Sequence, residues 1–175
     1  MKTKFISLFF ALTVTSILYG QTQKLDDESM ALASFLSGKN FKSIQLEKYP
    51  TGHQYAMVKL NGVDARFILD TGAGATIVDT KLKDRFQLKT INSSLMGVGA
   101  GGGNLSVQAT TGNTLEIGDA YENKNQPIML MSLEHINGAL RAMHLQEADG
   151  VLGVDVLKNG SALIDFKNML LYLKK

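Results

Sequence analysis

The chain has 175 residues, 45% of them apolar, with 18 Lys+Arg against 16 Asp+Glu and no cysteine. That is one domain's length with enough apolar surface for a real core, so neither disulfides nor a structural metal is needed to hold it. The missing thiols exclude a disulfide framework, a thiolate zinc site, an iron–sulfur cluster, a cysteine nucleophile and a lipobox anchor. The net charge of +2 comes from Lys2 and Lys4; beyond residue 20 there are 16 basic and 16 acidic residues, which argues against a strong general attraction to nucleic acid or anionic membrane.

Met1-Lys2-Thr3-Lys4 is a short basic start, followed by an uncharged, largely apolar run from Phe5 to Tyr19 and then Gly20-Gln21. This is the layout of a secretory signal peptide, and the run is short for a membrane span of about 20 residues. The expectation is a signal over residues 1–20, cleavage after Gly20, and a mature protein exported to a periplasm or the exterior with no remaining membrane attachment. Residues 21–48 read as an N-terminal helix-and-strand extension and residues 49–175 as the main domain.

Asp26-Asp27-Glu28-Ser29 ahead of the apolar spacing from Met30 to Ser37, with Gly38 as a stop, predicts a short amphipathic helix; the acids read as a helix start rather than a metal site. Phe41 to Lys48 mixes apolar residues (Phe41, Ile44, Leu46) with polar ones in alternation, which predicts a strand. Tyr49-Pro50-Thr51-Gly52 is a turn. Tyr55–Leu60 and Val63–Leu69 flank Asn61-Gly62, the strongest two-residue hairpin signal. Further strands are predicted at 76–78, 104–111, 114–117 and 126–132, with a turn or two of helix at 81–86. Glu134 to Leu145 reads as a loop with a helical turn. Val156 to Gly160 reads as a short helix closed by its glycine, and 162–166 with 170–173 as a closing hairpin. Many short strands with frequent glycine turns predict an all-β, closed or sandwich-like domain.

The chemistry concentrates in Phe67-Ile68-Leu69-Asp70-Thr71-Gly72-Ala73-Gly74-Ala75-Thr76. Three large apolar residues bring a buried strand to one carboxylate, after which the chain turns through small residues only. A carboxylate at such a strand end is expected to be partly desolvated, a setting in which a proton is held more readily. Small neighbours let a substrate or another backbone approach closely. A second segment, Asp149-Gly150-Val151-Leu152-Gly153-Val154-Asp155, runs from a buried-looking strand into the short helix. Between them, Met96 to Asn104 holds five of the chain's 17 glycines, a composition suited to a mobile loop against an extended peptide.

This ordered set resembles the retroviral-like, single-lobe aspartic proteases. The signature is apolar residues followed by Asp70-Thr71-Gly72-Ala73, with Val151-Leu152-Gly153 about 80 residues later. The Asn61-Gly62 hairpin, the glycine-rich stretch and the ending from Ile164 to Leu173 accompany it, so the resemblance runs from about Tyr49 to the C-terminus. It implies a closed β-barrel lobe with short helices, Asp70 as the catalytic aspartate, and Thr71, Gly72 and Ala73 as the supporting loop. Gly97, Val98, Gly99, Ala100 and Gly101 would form a flap over substrate, with Val151 and Leu152 beside it. Gly74 stands where the family often has a polar residue. Such an enzyme needs two carboxylates sharing one proton. This chain has one Asp-Thr-Gly, and Asp79-Thr80-Lys81 is no second copy, so the dyad implies a homodimer acting on a peptide or protein substrate. No cofactor or metal is implied.

Other readings compete. Asp70 to Thr76 also looks like the first phosphate loop of the actin and sugar-kinase fold, which needs a far longer chain and a supply of nucleotide. A catalytically silent module of the same protease fold would bind an extended peptide as an added strand. His53, His135 and His144 lack metal-like spacing and read as surface or loop residues. Asp149 reads as a turn residue, Asp155 as the cap of the short helix, and Asp165 as a strand end. The eight methionines read as core filler or loop contacts rather than copper ligands.

Overall fold

The computed structural model describes residues 25–98 and 104–175. The N-terminal helix α1 (Asp27–Ser37) starts on Asp26, whose carboxylate accepts from the Ser29 amide at 2.9 Å. Gly38 ends the helix with an ordinary right-handed φ of −65°, and Asn40 supplies the left-handed residue at φ 65°. The strand expected over residues 41–48 is two strands, β1 (Phe41–Gln45) and β2 (Glu47–Lys48), which join different sheets. Leu46 between them is buried in the main core, and its amide bonds the carbonyl of Met169 at 2.8 Å.

β3 (Gln54–Leu60) and β4 (Val63–Leu69) form the expected hairpin. Asn61 and Gly62 both take positive φ, 49° and 80°, as a turn matching the right-handed twist of its strands requires. β5 (Ile77–Asp79) follows the Asp70 loop and leads into a single 3₁₀ turn, Thr80–Leu82. Sequence patterning left β6 (Thr90–Val98) without an assignment. It also split β7 (Asn104–Ile117) in two; the strand is continuous but shifts register around Asn113, beside Gly112 at φ 70°. β8 (Tyr121–Met131) starts earlier than expected, and most of the segment read as a loop with a helical turn is a nine-residue helix, α2 (Glu134–Ala142). β9 (Gly150–Leu152), α3 (Val154–Asn159), β10 (Leu163–Asp165) and β11 (Leu170–Lys174) complete the described elements.

Six strands close a barrel in the order β3–β4–β9–β5–β8–β7 and back to β3, so the all-β, closed-barrel class with short helices is the one observed. Ala56, Val58 and Leu60 from β3, Ala65 and Phe67 from β4, and Ile128 and Leu130 from β8 fill the interior at the strand period of two. Tyr55 and Ile68 face outward yet are buried too, in a second cluster with Tyr49, Leu140 of α2 and Ala148. That double burial is why Phe67-Ile68-Leu69 is continuously apolar rather than alternating. β1, β11 and β10 form a separate three-stranded sheet, through which Leu171 and Leu173 join the main core. Asn168 ties this sheet to α1, donating to Ser29 Oγ at 2.8 Å and to Asp165 Oδ2 at 2.7 Å, and Lys167 pairs with Asp26. Among the described residues no helix is long and apolar enough to cross a membrane.

Burial pushes the hydroxyls of Tyr49, Tyr55 and Tyr172 above the ordinary tyrosine pKa of 10.0, because a phenolate loses more hydration than a phenol. The unfolded chain releases these protons first, so stability is complete below that ordinary value and falls as pH rises towards and through the folded-state values. Urea midpoints at pH 8, 9.5 and 11 should therefore decline. Among the described residues the Tyr172 hydroxyl has no hydrogen-bond partner, so Tyr172→Phe should be neutral or stabilising by up to about 1 kcal/mol at pH 8, with a shallower alkaline decline. An equally steep decline in that variant would count against the assignment.

Candidate active site

The strand entering the Asp70 loop and the strand leaving it are not neighbours. β9 lies between them, parallel to β4 (Phe67↔Gly150, Leu69↔Leu152) and antiparallel to β5 (Ile77↔Val151). Glycine makes this possible. A Cβ on Gly150 would meet the Ile77 carbonyl oxygen at 2.5 Å and the Phe67 ring at 2.7 Å. One on Gly153 would meet the backbone of Ala75 at 2.4 Å. Both distances are far inside van der Waals contact.

Asp70 sits one residue past β4. Its amide donates to the Leu152 carbonyl at 3.2 Å, continuing the β4–β9 ladder. Its carboxylate oxygen Oδ1 accepts from the Gly72 amide at 2.8 Å, and its carbonyl accepts from the Ala73 amide at 3.3 Å. Ala73 in turn accepts from the Val154 amide at 2.8 Å. A Cβ on Gly72 would lie 3.2 Å from Asp70 Oδ1, so a side chain there crowds the carboxylate. Asp70, Thr71 and Gly72 are exposed. The desolvation expected of a strand-end carboxylate is thus not met within one chain, because the loop carries Asp70 out of the barrel before its side chain begins.

A buried polar chain supports this loop from below. Thr76, fully buried, donates from Oγ1 to Asp155 Oδ1 at 2.8 Å and accepts from the Gly153 amide at 3.2 Å. Asp155 Oδ2 accepts from Gln126 Nε2 at 2.8 Å, and Gln126 Oε1 accepts from Tyr121 and Asn123 at 3.0 and 2.9 Å. Asp155 is therefore no helix cap: Gly153 occupies that position, and the aspartate joins α3 to the loop. Asp149 ends its bend with its carboxylate accepting from the Arg66 amide at 2.8 Å and from Arg85 at 2.6 Å. Asp79 is buried and accepts from the Lys81 amide and Asn137. Asp165 accepts from the Asn168 amide at 3.0 Å at the end of β10. These carboxylates have structural partners, and the sequence alone marked neither Thr76 nor Gln126 as part of the support.

A cavity of about 430 Å³ opens beside Asp70. Gly72 to Ala75 form part of its wall, with Ile77, Val107, Val151 and the end of β8. Val151 is thus placed at the cavity. Leu152, also expected to contact substrate, is fully buried in the barrel core, since alternate residues of β9 face opposite ways; it contributes its carbonyl to Asp70 instead. Gly97 and Val98 end β6 in a hairpin with β7 (Gly97↔Leu105, Val98↔Asn104). Gly99, Ala100 and Gly101 of the expected flap lie outside the described residues. His135, read from sequence as a surface or loop residue, is exposed on α2 and lines this same cavity. Its spacing from Asp70 gives no sequence signal. His53 accepts or donates within its turn to Thr51 at 3.0 Å.

A family model described as aspartyl protease matches residues 56–156, more than half of the 175-residue chain. The chain belongs to the aspartyl protease family. Among solved structures it is similar to a retropepsin-like aspartic protease from Rickettsia conorii, at 19% identity over 76% of this chain and 90% of that one, with a TM-score of 0.48. It is also similar to the EIAV protease complexed with the inhibitor HBY-793, at 17% identity over 69% and 99% with a TM-score of 0.46. A third likeness is to the retroviral protease-like domain of Ddi1 from Leishmania major, at 18% identity over 68% and 86% with a TM-score of 0.47. A comparison with curated protein sequences returns no match. The matched segment of this aspartyl-protease chain contains both the Asp70 loop and the β9–α3 corner that holds it.

Replacing Thr76 by Val keeps the volume and removes both hydrogen bonds, leaving one Asp155 oxygen and the Gly153 amide without this partner. The expected cost is about 2–3 kcal/mol, read as a lowered urea midpoint, whereas Thr76→Ser keeps the hydroxyl and should recover most of it. Equal losses in the two variants would mean that packing of the methyl group, not the hydroxyl, holds the loop.

Proposed function

We propose that the protein is an aspartic endopeptidase that works as a homodimer, with a water molecule activated between the Asp70 carboxylates of two chains. The observation that carries this reading is Asp70 itself. It is exposed at the end of a rigidly bracketed strand, its Oδ1 is held by Gly72, and the described residues of the same chain give Oδ2 no donor. One carboxylate can take a proton from water or give one to a carbonyl, but peptide hydrolysis needs both acts at once. Two carboxylates in contact share a proton, because like charges at hydrogen-bond distance cannot both stay ionised. One then serves as base while the other polarises the scissile carbonyl. A dyad of this kind titrates as a pair.

In this reading Thr71 links the two loops beneath the dyad, and Gly72 offers backbone contacts to an extended substrate. The β6–β7 hairpin, with Gly97 and Val98 and the following Gly99, Ala100 and Gly101, covers it, and Val151 lines the cleft. Residues 1–20 direct export, so the enzyme works in a periplasm or outside the cell and keeps no membrane attachment. It uses no cofactor or metal and binds no nucleic acid.

A peptide library digested by the mature protein from acid to neutral pH should show discrete internal cuts, read by mass spectrometry, that vanish in Asp70→Ala and Asp70→Asn. Mixing one part wild type with nine parts Asp70→Asn, after exchange of subunits, should lower the activity per wild-type chain about tenfold, since most wild-type chains then sit in dead heterodimers. Undiminished activity in the mixture would refute the shared dyad. An uncut library from folded, dimeric protein would favour a silent peptide-binding module.

A further inference from the structure

The cavity beside Asp70 has mostly apolar walls, including Met129, Met131, Leu133, Ile136 and Val151. Two ionisable side chains line it, Asp70 and His135, and the proposed chemistry uses only the first. His135 is the second residue of α2, whose start at Leu133 carries no side-chain cap. The charged side chains beside it on and against α2 pair with one another. Glu134 bonds Lys81 at 2.6 Å and also Arg141, and Arg141 reaches on to Glu147 at 3.0 Å. These contacts hold the Glu134 carboxyl below its usual range, chiefly through the Lys81 hydrogen bond. Among the described residues no side chain hydrogen-bonds the His135 ring, which leaves its nitrogens for a ligand.

We infer that His135 is a specificity-determining residue, selecting a substrate side chain that bears a carboxylate for the subsite this wall forms beside the scissile bond. The inference rests on the peptidase reading above. Three features converge on it. The imidazole offers a hydrogen-bond donor at an otherwise apolar wall. The first turn of α2 has a positive end that favours an anion. The nearby lysine and arginine are occupied by Glu134 and Glu147 and do not compete for it. A side chain with an apolar stem and an acidic tip, such as glutamate, matches the methionine-lined wall and the imidazole together.

The test uses matched peptides chosen from the library cuts, differing only by Glu, Gln or Lys at that subsite. For wild type, kcat/KM for the Glu peptide should exceed that for its Gln isostere by about tenfold, mostly through KM. The ratio should fall to about one in His135→Leu and return in His135→Arg. In His135→Glu the preference should turn towards Lys, an outcome that a purely structural role for the histidine does not produce. Asp70-dependent cleavage with no acidic preference, or a preference that survives in His135→Leu, overturns the inference and leaves the peptidase reading standing. Absence of any Asp70-dependent cleavage overturns both.

Discussion

The insertion of β9 between β4 and β5 is the constraint on which the site depends. Three backbones must pass closer than any side chain allows, and Gly150 and Gly153 are the two points of contact, with Ile77 and Ala75 filling the space a Cβ would need. Each feature of the Asp70 loop follows from that passage. Leu152 is in position to take the Asp70 amide, Val154 to hold Ala73, and Asp155 to reach Thr76. The pairing joins residues some 80 positions apart in the sequence, so its closure entropy is recovered only when the barrel as a whole assembles. The Asp70 loop is therefore ordered by global folding, because its bracing contacts come from β9 and α3 far along the chain.

Buried and exposed carboxylates are treated differently along the chain. Asp79 is buried and satisfied, Asp149 and Asp155 each accept from two partners, and Asp165 is held by both the backbone and the side chain of Asn168. Each of these carboxylates would cost stability if its donors were removed, because a desolvated carboxylate without partners is unfavourable. Among the described residues, Asp70 differs from these four in having its backbone held by Leu152 and Ala73 while one carboxylate oxygen has no donor. The fully partnered carboxylates fix geometry, whereas Asp70 keeps one oxygen for which the described residues supply no donor.

Local elements were the most legible part of the sequence. The β3–β4 hairpin announced itself through Asn61-Gly62 and two alternating runs, and its bounds agree closely with the strands observed. The Asp70 motif was legible for the same reason, since an apolar run ending in a single acid and then small residues has few structural uses. What escaped were features set by partners far along the chain. β6 carries little apolar periodicity of its own and exists through its pairing with β7. β7 looked like two strands because Gly112 interrupts its pattern, whereas the ladder absorbs the irregularity as a register shift. Asp155 had the position of a cap and the role of a tertiary bridge, and only the 79-residue separation to Thr76 closed by the barrel distinguishes the two. Leu152 belongs to a motif associated with substrate, yet strand alternation sends its side chain into the core and leaves Val151 for the cleft.

Exposure of Asp70 in a single chain also has meaning for assembly. In the single chain the carboxylate faces water, where charges are screened. In the proposed dimer the same group acquires an identical neighbour, and two adjacent carboxylates are stable together only if they hold a proton between them. Association and protonation then become one linked equilibrium: whatever brings the chains together raises the affinity of the pair for that proton, and a proton on the pair strengthens the association. The barrel sets the Asp70 backbone to within a few hydrogen bonds, but the reactive state belongs to neither chain separately. In the proposed arrangement, hydrolytic capacity is confined to the assembled, singly protonated form.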